Sequence, residues 1–371
     1  MVKTIKIHKM QKGSVYTGSL PAGCRICGKG RKLVLFITGK CYSGCYYCPL
    51  SDSKKNKDVV FANELNVKRS SDIIREATLI GADGTGVTGG DPLLFPERTA
   101  RLIRLLKKEF GDTHHVHLYT ANTSEKRLKM IIQAGLDEIR FHPPPNTWQC
   151  IQKTPYLKAI ETASEGGVEV GVEIPAVPGF RKETESLITS LFSQTTQCPG
   201  VTFVNLNELE FSETNADALK KRGFTVKDCI SSGVNGSESM AYKIISKMSE
   251  VYGSESQISL HYCSAGYKDG VQLRNRIKRR ANSIARPSDI ITKDGLLLKG
   301  IVEGSIHRIK SVLTRTHRVP AKYIYADRRR GRVEVAPWIL QKIARKLTFP
   351  AYIVEEYPTA DRLEVERMRI N

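Results

Sequence analysis

The chain has 371 residues, 40% hydrophobic and 26% charged, with a formal net charge of +20. This describes a soluble globular protein with room for two or three domains. It has no apolar run of about 18 residues, which argues against a transmembrane helix, and Met1–Ser14 lacks the apolar stretch of a signal peptide. A cytoplasmic protein with no membrane attachment is the expectation.

Residues 1–31 are polar and Gly-rich and carry Cys24-Arg-Ile-Cys27. They read as an N-terminal extension. From Lys32, short apolar runs alternate with segments of helical period. The runs are Leu33–Thr38, Gly84–Thr88, His115–Thr120, Glu138–His142, Val168–Pro175, Val201–Leu206 and Ser259–Cys263. Helices are expected over Ser71–Ile80, Glu97–Phe110, Ser124–Ala134, Pro155–Gly166, Lys182–Ser193 and Ser237–Tyr252. Such alternation predicts an α/β fold with a parallel sheet, and six or more units suggest a full or open barrel. Chemistry then belongs at the C-terminal ends of the strands. The polar stretch Asn207–Gly236 is expected to be a loop over that face. The core is placed at 32–280.

After Arg286-Pro287 the pattern changes. Leu296–Val302 reads as a strand, Ile306–Leu313 as a helix, Lys322–Ala326 and Arg332–Ala336 as a strand pair, Trp338–Leu347 as a helix and Ala351–Glu355 as a strand. This βαββαβ order predicts a C-terminal α+β ferredoxin-like domain over 288–371. The positive charge concentrates here: residues 271–371 hold 23 basic and 10 acidic side chains. A field of that sign attracts polyanions, although a solvated basic face explains it equally.

Nine cysteines are present, and three of them, Cys41, Cys45 and Cys48, crowd into eight residues directly after the first strand. In a reducing compartment such crowding indicates metal binding or catalysis and not disulfides. An ordinary cubane takes four thiolates, and three here leave one iron open to a ligand. The competing reading is zinc, which favours four N/S ligands, with Cys45/Cys48 and Cys24/Cys27 as two CxxC pairs. Two further strand ends look chemical. Gly89-Gly90-Asp91-Pro92 combines close backbone approach with an acceptor. Asn205 and Asn207 alternate polar groups at the sixth strand end.

Cys41, Cys45 and Cys48, with Tyr47 before the last, resemble the CxxxCxxC motif of the radical S-adenosylmethionine (SAM) superfamily, and Gly89–Pro92 resembles its GGEP motif. The core from Lys32 to about Arg276 is similar to relatives of the pyruvate formate-lyase activating enzymes, including uncharacterised archaeal members. The resemblance implies a partial (β/α)6 barrel, a [4Fe-4S] cluster on the three cysteines, and SAM on the open iron. It implies Tyr47 near the adenine, and Gly89, Gly90 and Asp91 at the SAM ammonium. It places Thr120 and Asn122 at the ribose or carboxylate, Arg140 and His142 at the carboxylate, and Asn205 at the ribose or substrate. Asn207 and Cys263 would face the substrate, the latter as a hydrogen-donating or binding thiol. Cys24 and Cys27 could hold zinc or an auxiliary Fe–S cluster with Cys263. Cys150, Cys198 and Cys229 read as ordinary side chains.

A ferredoxin- or flavodoxin-like electron donor is the implied partner. RNA modification is the leading expectation for substrate, with Arg274–Arg280 and Arg328–Arg332 holding phosphates. Radical modification or activation of a protein, as in a glycyl-radical activase, is the alternative.

Overall fold

The computed structural model describes residues 5–192, 200–252 and 259–371. Ser193 and Cys198 lie outside them. The chain forms two units. The first takes Met1–Thr78 and Ala82–Leu273, and the second takes Leu79–Gly81 and Arg274–Asn371.

The elements of the first unit run α1 (Ala22–Gly28), β1 (Lys32–Phe36), α2 (Ser70–Ile80), β2 (Gly84–Thr88), α3 (Pro96–Phe110), β3 (His115–Thr120), α4 (Glu125–Ile132), β4 (Glu138–Phe141), α5 (Tyr156–Glu165), β5 (Glu169–Ala176), α6 (Arg181–Phe192), β6 (Val201–Glu208), α7 (Ser237–Tyr252) and β7 (Ser259–Cys263). Strands β1 to β7 lie side by side in chain order, all parallel. The parallel run is therefore seven strands, one more than a (β/α)6 barrel. Burial on both faces is why these strands read as apolar runs: every residue of β4 and β7 is buried. Antiparallel hairpins cover both edges. Phe61–Ala62 and Leu65–Asn66 extend β1, and Ile7–Lys9 and Val15–Thr17 extend β7. Covered edges leave no long unpaired strand to template aggregation.

Helix α3 shows how the flanking layer forms. Pro96 occupies its first turn and Gly111 stops it at φ +83°, a conformation that favours glycine. Leu102, Ile103 and Leu106 are buried while Arg101 and Arg104 face outward. Each fully buried aliphatic side chain contributes about 1.5–3 kcal/mol.

Two domain expectations need correction. Residues 1–31 are not a separate extension, because Val15–Thr17 pairs with β7 and the Gly23 amide donates to Glu138 at 3.0 Å. Helix α8 (Arg274–Ile284) is not part of the barrel core. It falls in the second unit, where Arg280 donates to the Pro358 carbonyl at 2.9 Å. The insert after β6 is also more than loop, since Ala216–Lys220 is helical.

The second unit continues with β8 (Leu297–Glu303), α9 (Ile306–Ser311), β9 (Ile324–Asp327), β10 (Arg332–Val335), α10 (Pro337–Ile343), β11 (Ala351–Glu356) and β12 (Glu364–Arg369). The sheet is antiparallel in the order β9-β10-β8-β11-β12, so the first four strands have the βαββαβ arrangement. Val302, Val333, Val335 and Ala351 pack with Ile309, Leu313 and Leu340 from the helical layer. Strand β12 was not expected, because Glu364–Arg369 is mostly exposed and carries no apolar alternation.

The residues that alternate with this apolar set form an ion-pair lattice. Lys299 contacts Glu356 at 2.8 Å and Glu334 at 3.3 Å, and Arg332 contacts Glu356 at 3.0 Å and Glu334 at 3.2 Å. Arg362 reaches Glu356 and Asp327, Arg330 reaches Glu356 and Glu364, and Arg286 reaches Glu334. Two arginines of the 328–332 run are thus committed inside their own domain. In the other run, Arg274 pairs with Asp294 at 3.3 Å. A guanidinium neutralised by buried carboxylates has less to offer a phosphate, which applies to Arg330 and Arg332; the Arg274 pair is on the exposed surface.

Candidate active site

Strand β1 delivers the chain into the loop Gly39–Leu50 at the C-terminal edge of the sheet. Cys41, Cys45 and Cys48 are half-buried and line one cavity of about 770 Å³. The loop is turned by a Cys48 amide bond to the Cys45 carbonyl at 3.1 Å. Its neighbour is the end of β2. The Gly90 amide donates to the Thr38 carbonyl at 2.7 Å, and the Asp91 amide to the Lys40 carbonyl at 2.9 Å. A Cβ on Gly90 would lie 2.3 Å from the Lys40 carbonyl oxygen, and one on Gly89 would lie 2.5 Å from that of Thr38. Only glycine lets these two backbones meet.

Asp91 does not line the cavity. Its carboxylate accepts from Thr120 Oγ at 2.8 Å and from the amides of Leu93 at 2.9 Å and Ala121 at 3.1 Å. Burial pushes its pKa up against these bonds. Asp91 therefore ties β2 to β3, and the expected side-chain contact with an ammonium is corrected. The groups facing the cavity here are Gly89, Gly90, Thr120 and Ala121. Asn122 is likewise turned into local structure, with its side-chain oxygen accepting from the Ser124 amide at 2.9 Å just before α4.

His142 and Tyr47 both line the cavity. His142 Nδ1 lies 2.8 Å from the Glu173 carbonyl, which only accepts, so Nδ1 carries the proton. Nε2 then accepts from Tyr47 Oη at 3.0 Å. Burial holds the imidazole neutral by lowering its pKa. The pair fixes the face of the cysteine loop against β4.

Arg140 is buried at the barrel centre and does not line the cavity. It contacts Glu138 at 2.5 Å and Glu173 at 2.7 Å. This overturns its expected role against a ligand carboxylate, since both neighbouring carboxylates already claim it. Glu173 is the residue that sequence reasoning missed. It lines the cavity and accepts from Arg140, from Asn205 at 2.9 Å and from Asn207 at 2.7 Å. Burial alone would raise its pKa, but Arg140 and the two amides hold it down at about 2. An acid in the middle of the apolar strand Glu169–Ala176 was the available signal. Lys268 and Glu210, also missed, form an ion pair on the cavity wall. Of the two expected asparagines, Asn207 lines the cavity and Asn205 sits beneath, bonded to Glu173 and His261.

Cys263 is buried with Tyr267 and Val271, away from the cavity lining, and burial pushes its thiol up to about 12. That corrects the expectation of a substrate-facing thiol. Cys24 lies under the barrel, 3.4 Å from Arg140 Nη2 and 3.7 Å from His261 Nδ1. Among the described residues, neither Cys24 nor Cys27 belongs to a group of three ligand atoms close enough to share one ion; the group that does is His115, Glu138 and Glu169.

The insert after β6 straps the cysteine loop. Asn215 Nδ2 donates to the Tyr47 carbonyl at 3.0 Å, and the Arg222 guanidinium stacks 4.1 Å over the Tyr46 ring.

A family model described as the radical SAM superfamily matches residues 35–191, and one described as a domain of unknown function matches 295–370. A protein of Methanocaldococcus jannaschii that carries the provisional name of glycyl-radical enzyme activating enzyme is 40% identical over 367 residues, covering 94% of this chain and 92% of its own. Among solved structures, methylornithine synthase (PylB) matches 60% of this chain and 67% of its own at 16% identity and TM-score 0.40. HydG, a maturase of the [FeFe]-hydrogenase, matches 70% and 66% at 15% identity and TM-score 0.42. No described helix is long and apolar enough to cross a membrane. The chain belongs to the radical SAM superfamily, on the branch related to the glycyl-radical activases, and is an enzyme whose cofactors are a [4Fe-4S] cluster and SAM.

Proposed function

We propose that Cys41, Cys45 and Cys48 hold the cluster and that the enzyme abstracts hydrogen from a protein substrate. One observation supports the first part above others. Three thiols line the cavity, and no fourth cysteine lines it; the one histidine there has both ring nitrogens engaged. That donor set suits a cube with one iron left for another ligand and does not suit a closed four-ligand zinc site.

Held there, cluster and SAM would supply one-electron reductive chemistry at the sulfonium. The chain's own residues do the rest. Gly89, Gly90 and Ala121 would present backbone atoms to the methionyl end, and Asp91 holds that wall in place from behind. Tyr47 and His142 keep the cysteine loop in register. Glu173, ionised at the cavity wall, accepts hydrogen bonds from hydroxyl or ammonium groups. The strapping insert limits water at the cysteines.

The substrate reading rests on two supports. The M. jannaschii relative's provisional name is that of an activase, and the arginine runs that favoured RNA are partly spent on internal ion pairs. Activation of a glycyl-radical-type protein is therefore preferred to RNA modification, and the work of the C-terminal domain becomes recognition of that protein. The test adds protein or RNA fractions from cells carrying the gene to the reduced enzyme with SAM, and reads both a persistent organic radical by EPR and 5′-deoxyadenosine above the uncoupled rate. Stimulation that protease removes and ribonuclease spares is expected. The opposite sensitivity would return the substrate to RNA.

A further inference from the structure

We propose that the floor of the parallel sheet, at the N-terminal ends of β3, β4 and β5, holds a zinc ion on His115, Glu138 and Glu169. The inference goes beyond the proposed function and needs neither the cluster position nor the substrate reading.

Three neighbouring strands supply one ligand each. His115 is the first residue of β3, Glu138 the first of β4 and Glu169 the first of β5. Glu138 stands in register with Glu169 on one side and with His117 on the other. Alternate residues of a strand share a face, so His115 joins the same face as His117 and the two acids. The ligand atoms of His115, Glu138 and Glu169 lie within 4.8 Å of one another. None of the three lines the cysteine cavity, which sits at the opposite ends of the strands.

Distance and donor type favour zinc. His115 Nε2 lies 3.4 Å from Glu138 Oε2. That is long for a hydrogen bond. It matches the separation of about 3.4 Å that two ligands on one tetrahedral zinc keep when each bond is about 2.1 Å. One imidazole and two carboxylates with a fourth position open suit zinc, whereas magnesium and calcium favour oxygen donors alone. The Glu138 carboxylate is already oriented for the task. Its Oε2 accepts from the Gly23 amide at 3.0 Å and its Oε1 meets Arg140 at 2.5 Å. Such outer bonds are what fix a ligating carboxylate. His115 and Glu169 are half-buried, which leaves the ion a path from solvent.

A second observation comes from His117. It is 1% exposed, and its Nδ1 is buried without a partner, while Nε2 lies 3.3 Å from Tyr119 Oη. A Cβ built on Gly23 would lie 2.8 Å from His117 Nδ1 and 3.0 Å from Glu138 Oε1, so both atoms face the same spot. His115 Nδ1 is also buried without a partner. Native interiors rarely leave two imidazole nitrogens orphaned side by side. We assign His117 Nδ1 as the acceptor for a water in the fourth position of the ion. The ion then acts as a staple across the starts of three strands.

The test uses the full chain with its cluster reconstituted, so that the loop thiols carry iron. The sample is dialysed against micromolar zinc, and zinc and iron are counted together by mass spectrometry. We expect about one zinc per chain beyond the iron, not displaced by excess magnesium. Glu169→Gln and His115→Asn should each bind zinc about tenfold or more weakly. Zinc should raise the melting temperature of the parent and leave that of both variants unmoved. Glu169→Gln keeps the size of a half-buried side chain, so it reports on the site even where His115→Asn disturbs the fold. Cys24→Ala/Cys27→Ala should keep its zinc. No zinc on a parent with full iron, or parent-like zinc in both floor variants, would overturn the site and leave the cluster position standing. Zinc lost from a folded Cys24→Ala/Cys27→Ala chain would overturn it too, by moving the ion to those thiols.

Discussion

Arg140 Nη1 lies 2.7 Å from the Glu173 carboxylate, and its side chain is only 4% exposed. On its other side it meets Glu138, which is fully buried. One cation therefore separates a fully buried acid from one at the cavity wall. Arg140→Met should leave both carboxylates unpaired and cost about 3–5 kcal/mol of stability. Chemical denaturation checks this through a lower midpoint at unchanged slope. Parent-like stability with lost SAM binding would instead make Arg140 a ligand-binding residue.

The C-terminal lattice predicts an acid limit. Burial pushes the Glu334 pKa up, but Lys299, Arg362 and Arg332 outweigh it and hold the carboxyl at about 2, below its ordinary 4.5. A group whose folded pKa is depressed stabilises the fold above its unfolded pKa and loses that contribution as pH falls towards the folded value. Stability of the second unit should therefore be level above about pH 5 and decline through pH 4 and 3, by on the order of 3 kcal/mol from this residue. A melting temperature followed from pH 7 to 3 tests it. A flat profile across pH 5 to 3 would mean the lattice is not ionised as drawn.

Gly90→Ala probes the contact between two loops. The added carbon would sit 2.3 Å from the Lys40 carbonyl and 2.6 Å from its carbon, both backbone atoms that yield little. The cysteine loop must shift, so iron uptake on reconstitution should fall severalfold while the melting temperature drops by only a few degrees. Full iron loading in this variant would show that the glycine pair does not set the loop position.

Bulk tRNA separates the substrate classes. With Arg330, Arg332 and Arg362 tied to carboxylates, filter binding should show only weak association that vanishes near physiological salt. Submicromolar binding at 150 mM salt would favour the RNA reading.

Several features were readable in advance for definite physical reasons. A parallel sheet covered on both faces needs continuous apolar strands, so β1 to β7 were visible as runs, and three cysteines at loop spacing announced the cavity. The rest was hidden by partner choice. Asp91 and Arg140 carry the residue types expected of ligand contacts, yet only the fold shows that Thr120 and Ala121 claim the first and that Glu138 and Glu173 claim the second. The arginine run at 328–332 looked like a free basic patch because its acids come from distant positions such as Glu356 and Glu364. Cys263 ends a strand as expected, but Tyr267 and Val271 close over it.

The central claim is that Cys41, Cys45 and Cys48, and no other thiols, carry the chemistry. Quantifying 5′-deoxyadenosine after anaerobic reconstitution with iron, sulfide, SAM and dithionite tests it most directly, in the parent, in Cys41→Ala/Cys45→Ala/Cys48→Ala and in Cys24→Ala/Cys27→Ala/Cys263→Ala. The account predicts product from the parent and from the second triple variant, and none from the first. Product from the variant lacking the loop thiols, or none from a parent with a full complement of iron, would contradict it.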